Sequence, residues 1–130
     1  MLTFTSKQLQ SRIGMVRAIY SVLDEKLAER IRILKVEKQT SLCNYFIICE
    51  GRATTHVRAL ADEVEDALAK AGVKALHVEG AGEGNWIAMD YASVIVHIFD
   101  KPSREFYNLE KLWRDATVID PDTILPSKCE

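Results

Sequence analysis

The stretch Trp86-Ile-Ala-Met-Asp-Tyr-Ala-Ser-Val-Ile-Val-His-Ile-Phe99 contains two apolar runs with a short break between them. Residues 86–90 and 94–99 each have the length and composition of a β-strand. About three residues separate them, too few for a crossover, so the two strands must pair antiparallel as a hairpin. The polar groups within this hairpin could form an active site, satisfied core positions or a docking surface.

Apolar spacing outside the hairpin predicts three further strands and three helices. Intervals of three and four predict helices over residues 6–30 with Ser6 as N-cap, from Thr54 or Thr55 to Gly72, and over residues 103–114. In the first helix the apolar stripe is Ile13, Val16, Tyr20, Leu23 and Leu27. Branched and apolar runs predict strands over residues 31–36, 42–49 and 73–79, of which 42–49 is apolar enough to be central.

These elements predict an α+β fold with a mixed five-stranded sheet and three helices. The domain is predicted to span residues 1–116, and residues 117–130, which contain two prolines and no apolar period, are predicted to be an irregular tail. The third helix, at about eleven residues, is too short to cover a whole sheet face at ~1.5 Å rise per residue. Apolar hairpin surface should therefore remain exposed.

The composition is that of a globular protein with a real core, since 48% of the 130 residues are hydrophobic and 28% are charged. With 17 basic and 19 acidic residues, the chain has no global positive field for nucleic acid or an anionic membrane. Three cysteines without Cys-x-x-Cys spacing argue against a disulfide framework and a structural zinc site. The longest apolar run, residues 91–99, is far shorter than the ~18 residues of a membrane span.

The first 23 residues carry Lys7, Arg12 and Arg17 with no acid before Asp24, as an organelle transit peptide would. Their apolar spacing continues past Asp24 without a break, which favours the first helix instead.

No catalytic, cofactor or metal site is predicted. Gly80-x-Gly82-x-Gly84 lacks the third glycine and the following helix of a dinucleotide fingerprint, so a tight turn is the better interpretation. Asp90 ends a strand without a second carboxylate nearby, and a single acid holds Mg²⁺ poorly. His97 shares strand parity with apolar neighbours and is predicted to be a hydrogen-bonded core histidine.

The segment after the hairpin mixes basic and aromatic side chains, as in an RNA-binding surface. It contains Lys101, Arg104, Phe106, Tyr107, Lys111, Trp113 and Arg114. Glu105 and Glu110 dilute its charge, and the aromatic residues have helical spacing, so a packed helix is favoured and RNA contact stays a secondary hypothesis.

Large amphipathic side chains and one acid lie on and beside the hairpin, namely Trp86, Met89, Asp90 and Tyr91. Aromatic anchors around a charge are typical of protein interfaces. Packing of Trp86 under the third helix explains the pattern equally well, and both interpretations stay open.

Seven sequence blocks in order resemble the ribosomal silencing factor family, which is related to Iojap. They are EKLAERI at 25–31, YFIICEG at 45–51, HVRALAD at 56–62, EG at 79–80, WIAMDY at 86–91, VHIF at 96–99 and REFYNLEKLW at 104–113. The resemblance covers about residues 20–115. Arg30, Asn44 and Ala92 depart from the family pattern, and Ala92 bears on the hairpin turn, because glycine there would permit positive φ.

The resemblance implies a nucleotidyltransferase-like fold without catalytic carboxylates. It implies a non-enzymatic protein, without cofactor, that binds the large ribosomal subunit through ribosomal protein uL14 and sterically blocks joining of the small subunit, repressing translation when nutrients are scarce. Minor rRNA contact and a homodimer of the free protein are further expectations, and the expected location is the bacterial cytoplasm, with an organelle as the alternative. The partner-binding residues carried over are Trp86, Met89, Asp90, Tyr91, Arg104, Tyr107 and Glu110. The alternative functions are a nucleotidyltransferase-like enzyme and an RNA-binding ribosome biogenesis factor.

Overall fold

A mixed sheet with helices on both faces forms the protein, and the computed structural model describes residues 3–124. In chain order the elements are α1 (Arg12–Glu25), β1 (Glu29–Lys35), β2 (Tyr45–Gly51), α2 (Thr54–Lys70), β3 (His77–Glu79), β4 (Trp86–Asp90), β5 (Val94–Asp100), α3 (Lys101–Tyr107), α4 (Leu109–Leu112) and β6 (Thr117–Ile119), followed by a 3-10 turn at Pro121–Thr123. Within residues 3–124, no helix has the length and apolar character to cross a bilayer.

The strand order in the sheet is β3-β4-β5-β2-β1-β6. β2 and β5 run parallel, whereas the other neighbouring pairs are antiparallel. β4 and β5 form the predicted hairpin, with Trp86 opposite Phe99 and Asp90 opposite Ile95. The α+β class with a mixed sheet is therefore confirmed, but the sheet has six strands rather than five. The nucleotidyltransferase-like relationship stays a prediction.

Each face of the sheet has its own apolar core. α1 and α2 pack on the first face, where Ile47 and Val96 of the central strands meet Leu23 and Val64 of the helices. The second face buries a smaller set, including Leu34, Phe46, Ile48 and Phe99, and α3 packs over β5 and β2 there. Every residue of β2 is buried, as predicted for a central strand covered on both faces.

The first helix is shorter than the predicted range 6–30. Its N-cap is Ser11, whose Oγ accepts a hydrogen bond from the Gly14 N–H at 2.9 Å, and not Ser6, whose hydroxyl instead donates to the Ala71 carbonyl. The helix ends before Leu27, which has φ +67°. Leu27 is therefore exposed rather than part of the apolar stripe.

The other two helices also differ from prediction at their ends. α2 begins at Thr54, and its N-cap is Ala53 rather than a threonine, although Gly72 follows its last turn with the expected positive φ of +86°. The predicted third helix is broken at Asn108, which adopts φ +46° and separates α3 from α4. Asparagine tolerates this left-handed conformation better than most residues, so the chain can change direction there.

The segment predicted as an irregular tail begins with a strand. β6 pairs antiparallel with β1, placing Ile119 opposite Ile33 and Val118 opposite Leu34. Ile119 packs against the first-face core, and Ile124 is buried. Three residues are too few to show an apolar period, and β6 forms because the edge of β1 offers it unpaired backbone groups. Residues 125–130 of the predicted tail lie outside the described residues.

The Gly80–Gly84 loop is the predicted tight turn and leads directly into β4. Its Gly84 N–H donates to the Gly80 carbonyl at 3.0 Å. The Arg58 guanidinium on α2 donates hydrogen bonds to the carbonyl oxygens of residues 81, 82 and 83, at 3.1, 2.7 and 3.0 Å. The carbonyl groups converge on a cation, which is the reverse of a loop that presents N–H groups to a phosphate.

Gly80→Ala is expected to destabilise the protein by about 2 kcal/mol or more, because Gly80 has φ +86° and an added Cβ would lie 1.9 Å from the Trp86 carbonyl oxygen. Gly82→Ala is the matched control in the same loop, since a Cβ there has no atom within 4 Å. It should change stability by less than about 0.5 kcal/mol. Urea unfolding measures both, and equal midpoints for the two variants would contradict this account of the turn.

Candidate functional site

The short third helical segment leaves part of the second sheet face uncovered over β3, β4 and β5. This part is referred to as the open face and is defined by Trp86, Ala88, Asp90, Ile95 and His97. The register places Ala88 opposite His97 and Asp90 opposite Ile95, so alternation puts all five side chains on one side of the sheet. Trp86, Ala88 and Asp90 are partly exposed. Hairpin surface therefore remains accessible, as the length of the third helix predicts.

Trp86 is the largest side chain of the open face and is half-buried. Its indole stacks on Phe99 at a centroid distance of 5.0 Å and contacts Tyr107 of α3 at 4.8 Å. The indole Nε1–H donates to His97 Nδ1 at 3.1 Å. Because this is the only polar atom of the indole, the part of the ring that remains exposed is hydrocarbon. Each of the two interpretations made from the sequence therefore describes part of Trp86. The ring packs beside the third helix, and it also presents apolar surface.

His97 lies beneath this tryptophan and is 8% exposed. Its ring meets Phe46 edge-on at 4.8 Å. Burial lowers the pKa of His97 to about 4, so the imidazole is neutral at physiological pH. The predicted hydrogen-bonded core histidine is confirmed for Nδ1, but Nε2 is buried and has no hydrogen-bond partner within residues 3–124.

Asp90 holds the hairpin turn with one of its carboxylate oxygens. Oδ1 accepts a hydrogen bond from the Ala92 N–H at 2.8 Å, and Ala92 has φ +69°. Ala92 therefore adopts the left-handed conformation that glycine would reach at lower cost, and the Asp90 carboxylate stabilises it there. The second oxygen, Oδ2, forms no hydrogen bond with residues 3–124 and is the part of Asp90 able to bind a cationic group.

Met89 and Tyr91 do not reach the open face. Both are buried in the first-face core beneath α2, at 1% and 5% exposure. Met89 points away from Trp86 and Asp90 because successive strand residues alternate between faces. Burial, with a smaller effect from the Glu65 charge, raises the pKa of Tyr91 to about 12. Two of the seven predicted partner-binding residues thus support the hairpin from inside the domain.

Arg104 is also buried, at 2% exposure, although it was predicted to contact a partner. Its Nε and Nη2 atoms donate to the two oxygens of Glu110, both at 3.1 Å. Nη1 donates to the Arg30 carbonyl at 2.6 Å and to Glu50 Oε1 at 3.3 Å. Glu50 is buried as well and also pairs with the Arg30 guanidinium at 3.2 Å. Arg104 therefore fastens α3 and α4 to β1 and β2.

Glu110 and Tyr107 complete the predicted set. Burial alone would raise the pKa of Glu110, but hydrogen bonds from Arg104 and the charges of Arg104, Arg32 and Arg30 outweigh it and hold the pKa below its ordinary value. Tyr107 is 48% exposed and lies beside Trp86 at the border of the open face. Among the seven predicted residues, Trp86, Asp90, Tyr107 and Glu110 are at least partly exposed, and the first three of these lie on or beside the open face.

Ala88, Ile95 and His97 of the open face were not predicted to lie with Trp86. Strand parity together with the hairpin register could have found them, because residues paired across β4 and β5 project to the same side.

The buried cysteines and the carboxylate at the end of β5 have structural environments. Burial raises the pKa of Cys43 to about 11 and that of Cys49 to about 12, so both thiols stay protonated. Asp100 caps α3 by accepting from the Ser103 N–H at 2.9 Å. Across residues 3–124, no three or more His, Cys, Asp or Glu side chains are arranged to hold a metal ion.

Comparison with known proteins gives concordant matches over most of the chain. A family model described as "Ribosomal silencing factor during starvation" matches residues 9–129. The protein named Ribosomal silencing factor RsfS from Bacillus subtilis (strain 168) is 40% identical over 109 residues, covering 84% of this chain and 92% of that protein. A crystal structure of a protein from Chromobacterium violaceum superposes with a TM-score of 0.78 at 30% identity, covering 80% of this chain and 87% of that one. A more distant relative from Mus musculus, named Mitochondrial assembly of ribosomal large subunit protein 1, is 26% identical over 98 residues, covering 73% of this chain and 43% of that protein.

Arg104→Leu is expected to destabilise the protein by about 3–5 kcal/mol, because it leaves the buried Glu50 carboxylate with less compensation and frees α3 and α4. Lys101→Ala, at an exposed position of the same helix, is the control and should cost less than about 0.5 kcal/mol. Urea unfolding compares the two. A cost below about 1 kcal/mol for Arg104→Leu would contradict the anchoring role.

Glu110→Gln is expected to reduce the loss of folding stability that occurs as the pH is lowered. The folded pKa of Glu110 lies below its unfolded value, so its contribution is present above the unfolded pKa and is lost as pH falls through the folded one. Wild-type stability should therefore fall more steeply than that of the variant below about pH 4.5. Thermal unfolding across this range tests the prediction, and parallel curves would refute it.

Proposed function

Since the chain belongs to the ribosomal silencing factor family, we propose that it binds the large ribosomal subunit and sterically prevents the small subunit from joining. A protein that occupies a subunit interface lowers the population of joined ribosomes by mass action, without chemistry on a substrate. The large subunit appears in the name of the Mus musculus relative, which supports this choice of partner. On this proposal the protein represses translation, as the starvation term in the family description suggests, and acts in the bacterial cytoplasm where ribosomes assemble.

The partly exposed Trp86 on an uncovered sheet face, beside α3, is the observation that carries the proposal. Its indole nitrogen is bound inside the protein, so the accessible part of the ring is apolar. Large, rigid aromatic groups with little entropy to lose are the residues that dominate protein interfaces. Tyr107 beside it extends the same aromatic surface onto α3.

The partner we propose on the large subunit is ribosomal protein uL14. Its basic character fits the free Oδ2 oxygen of Asp90, which can form a charge-assisted hydrogen bond with a lysine or arginine. The net charge of −2 also favours a basic protein over bare rRNA. Trp86, Asp90 and Tyr107 are the proposed contacts. Met89, Tyr91 and Arg104 support them from within the domain, and the partly exposed Glu110 does so by pairing with Arg104.

A nucleotidyltransferase-like enzyme is the weaker alternative, because three of the carboxylates near the open face have structural roles. Glu50 is paired with Arg104 and Arg30, Asp90 supports the hairpin turn, and Asp100 caps α3. Transfer of a phosphoryl group needs carboxylates that converge on one metal site. The arrangement therefore favours a docking function, and we propose that the protein is not an enzyme.

Minor contact with rRNA is proposed at the corner between α3 and α4. Phe106 is 80% exposed there, and Leu112, Lys111 and Arg114 line the same shallow depression. Exposed aromatic and basic groups together suit stacking on unpaired bases. Glu105 and Asp115 also line this depression and reduce its positive charge, so RNA is a secondary partner.

Trp86→Ala and Asp90→Asn are expected to weaken binding to isolated uL14, in the absence of rRNA, by about tenfold or more. Asp90→Asn retains a side-chain oxygen for the Ala92 N–H and removes only the charge, so it separates docking from turn stability. Asp90→Lys should weaken binding further, although it also removes the turn acceptor. Calorimetric titration measures the affinities, and Glu65→Gln on the exposed side of α2 is the control that should bind normally.

Sedimentation with purified large subunits tests the proposal as a whole. Wild type should co-sediment and reduce the formation of joined ribosomes, whereas Trp86→Ala should do neither. Absence of wild-type co-sedimentation, together with Mg²⁺-dependent nucleotide turnover, would favour the enzyme. Equal binding to uL14 by wild type, Trp86→Ala and Asp90→Asn would reject the open face as the docking surface.

A further inference from the structure

The hydrogen bond between Trp86 and His97 fixes the proton position on the imidazole. The indole Nε1–H can only donate, so His97 Nδ1 must accept and carries no proton. A neutral imidazole then has its proton on Nε2. That N–H is buried and has no acceptor within residues 3–124. His97 is thus held in one tautomer with an unpaired donor.

This arrangement is unfavourable for stability, which suggests another reason for a histidine at this position. The neighbours of the ring are aromatic, with Phe46 at 4.8 Å and Phe99 at 6.4 Å between centroids. An aliphatic side chain would fill the same apolar position without burying an unpaired N–H. What an aliphatic residue could not supply is the acceptor for the Trp86 indole.

The bond to His97 also determines which part of Trp86 is accessible. With Nε1 directed to the sheet, and with Phe99 and Tyr107 at 5.0 and 4.8 Å, the indole has one packed orientation. Its exposed part is then hydrocarbon only. Without the acceptor, the N–H would have to turn toward solvent, and the accessible surface of the indole would become polar and variable.

We propose that His97 is a positioning residue for docking, which accepts the Trp86 indole N–H and thereby keeps the apolar part of the ring directed at the ribosomal partner. This inference rests on the proposed function, since it explains how the docking surface is prepared before binding. A preorganised side chain has less freedom to lose on association, so the bond raises affinity without touching the partner.

The test compares three variants with wild type. His97→Leu removes the acceptor, while His97→Asn retains an oxygen close to the former Nδ1 position. Phe46→Leu is the packing control, because it removes the edge-on contact with His97 but leaves the bond to Trp86 intact. Hydrogen exchange of the Trp86 indole N–H is measured by NMR, with Trp113→Phe used to assign the two indole signals. Affinity for purified large subunits and urea stability are measured on the same samples.

We expect His97→Leu to be as stable as wild type or more so, to speed Trp86 indole exchange at least tenfold and to lower affinity at least tenfold. His97→Asn should restore slow exchange and most of the affinity, and Phe46→Leu should lose stability with little change in exchange. Wild-type exchange and affinity in His97→Leu would overturn the proposal. So would an equal loss of affinity in all three variants, which would indicate packing alone.

A measurement on the unaltered protein keeps the inference testable if His97→Leu fails to fold. Imidazole ¹⁵N shifts should identify the tautomer protonated at Nε2, and the Nδ1-protonated form would overturn the proposal. Failure of wild type to co-sediment with large subunits would instead reject the proposed function, and the docking role with it. Slow indole exchange that is lost in His97→Leu would then still establish the Trp86–His97 bond.

Discussion

The Arg104 guanidinium makes four hydrogen bonds that hold α3 and α4 against β1 and β2. A buried arginine is stable only where its donors are matched, and Glu50, Glu110 and the Arg30 carbonyl provide that match at one end of the second sheet face. This network of hydrogen bonds places α3 and α4 over β1, β2 and part of β5. The remaining area over β4 and the adjoining part of β5 becomes the open face. The location of the open face therefore follows from where the Arg104 guanidinium finds its hydrogen-bond acceptors.

The open face shows how alternation along a strand divides a contiguous motif. Trp86, Ala88 and Asp90 project to one side of β4, whereas Ile87 and Met89 project into the core under α2. The motif WIAMDY is therefore two sets of residues with different roles. Residues on the accessible side determine what can bind, and those on the buried side determine how rigidly β4 is held.

Those parts of the fold that have a strong local period could be predicted from the sequence. The β4–β5 hairpin and the fully buried β2 follow from short apolar runs, and the end of α2 follows from Gly72. The predicted start of α1 at Ser6 was wrong, because Ser11 is an equally good N-cap and is the residue that caps the helix. β6 was missed because its pairing depends on β1, more than eighty residues earlier in the chain.

The candidate site was predictable to a lesser degree. Trp86 and Asp90, which were predicted to contact a partner, lie at partly exposed hairpin positions, whereas the burial of Arg104 depends on Glu50, which is 54 residues away. A charge in a helical segment is normally solvated, and no local pattern indicates the exception. The role of Asp90 in the turn was not predicted either; the sequence indicated only that alanine in place of glycine at position 92 bears on this turn.

The parallel pairing of β2 with β5 has a consequence for how the chain folds. It joins Tyr45 to Val94 across an intervening helix and two strands, so the centre of the sheet depends on a distant contact. Long-range pairing of this kind is slow, because a large loop must close before the contact forms. During synthesis, α1, β1 and β2 emerge well before β5, so the apolar strand β2 remains unpaired along one edge. The nascent protein is therefore most prone to aggregate, and most in need of a chaperone, in the interval before β5 leaves the exit tunnel.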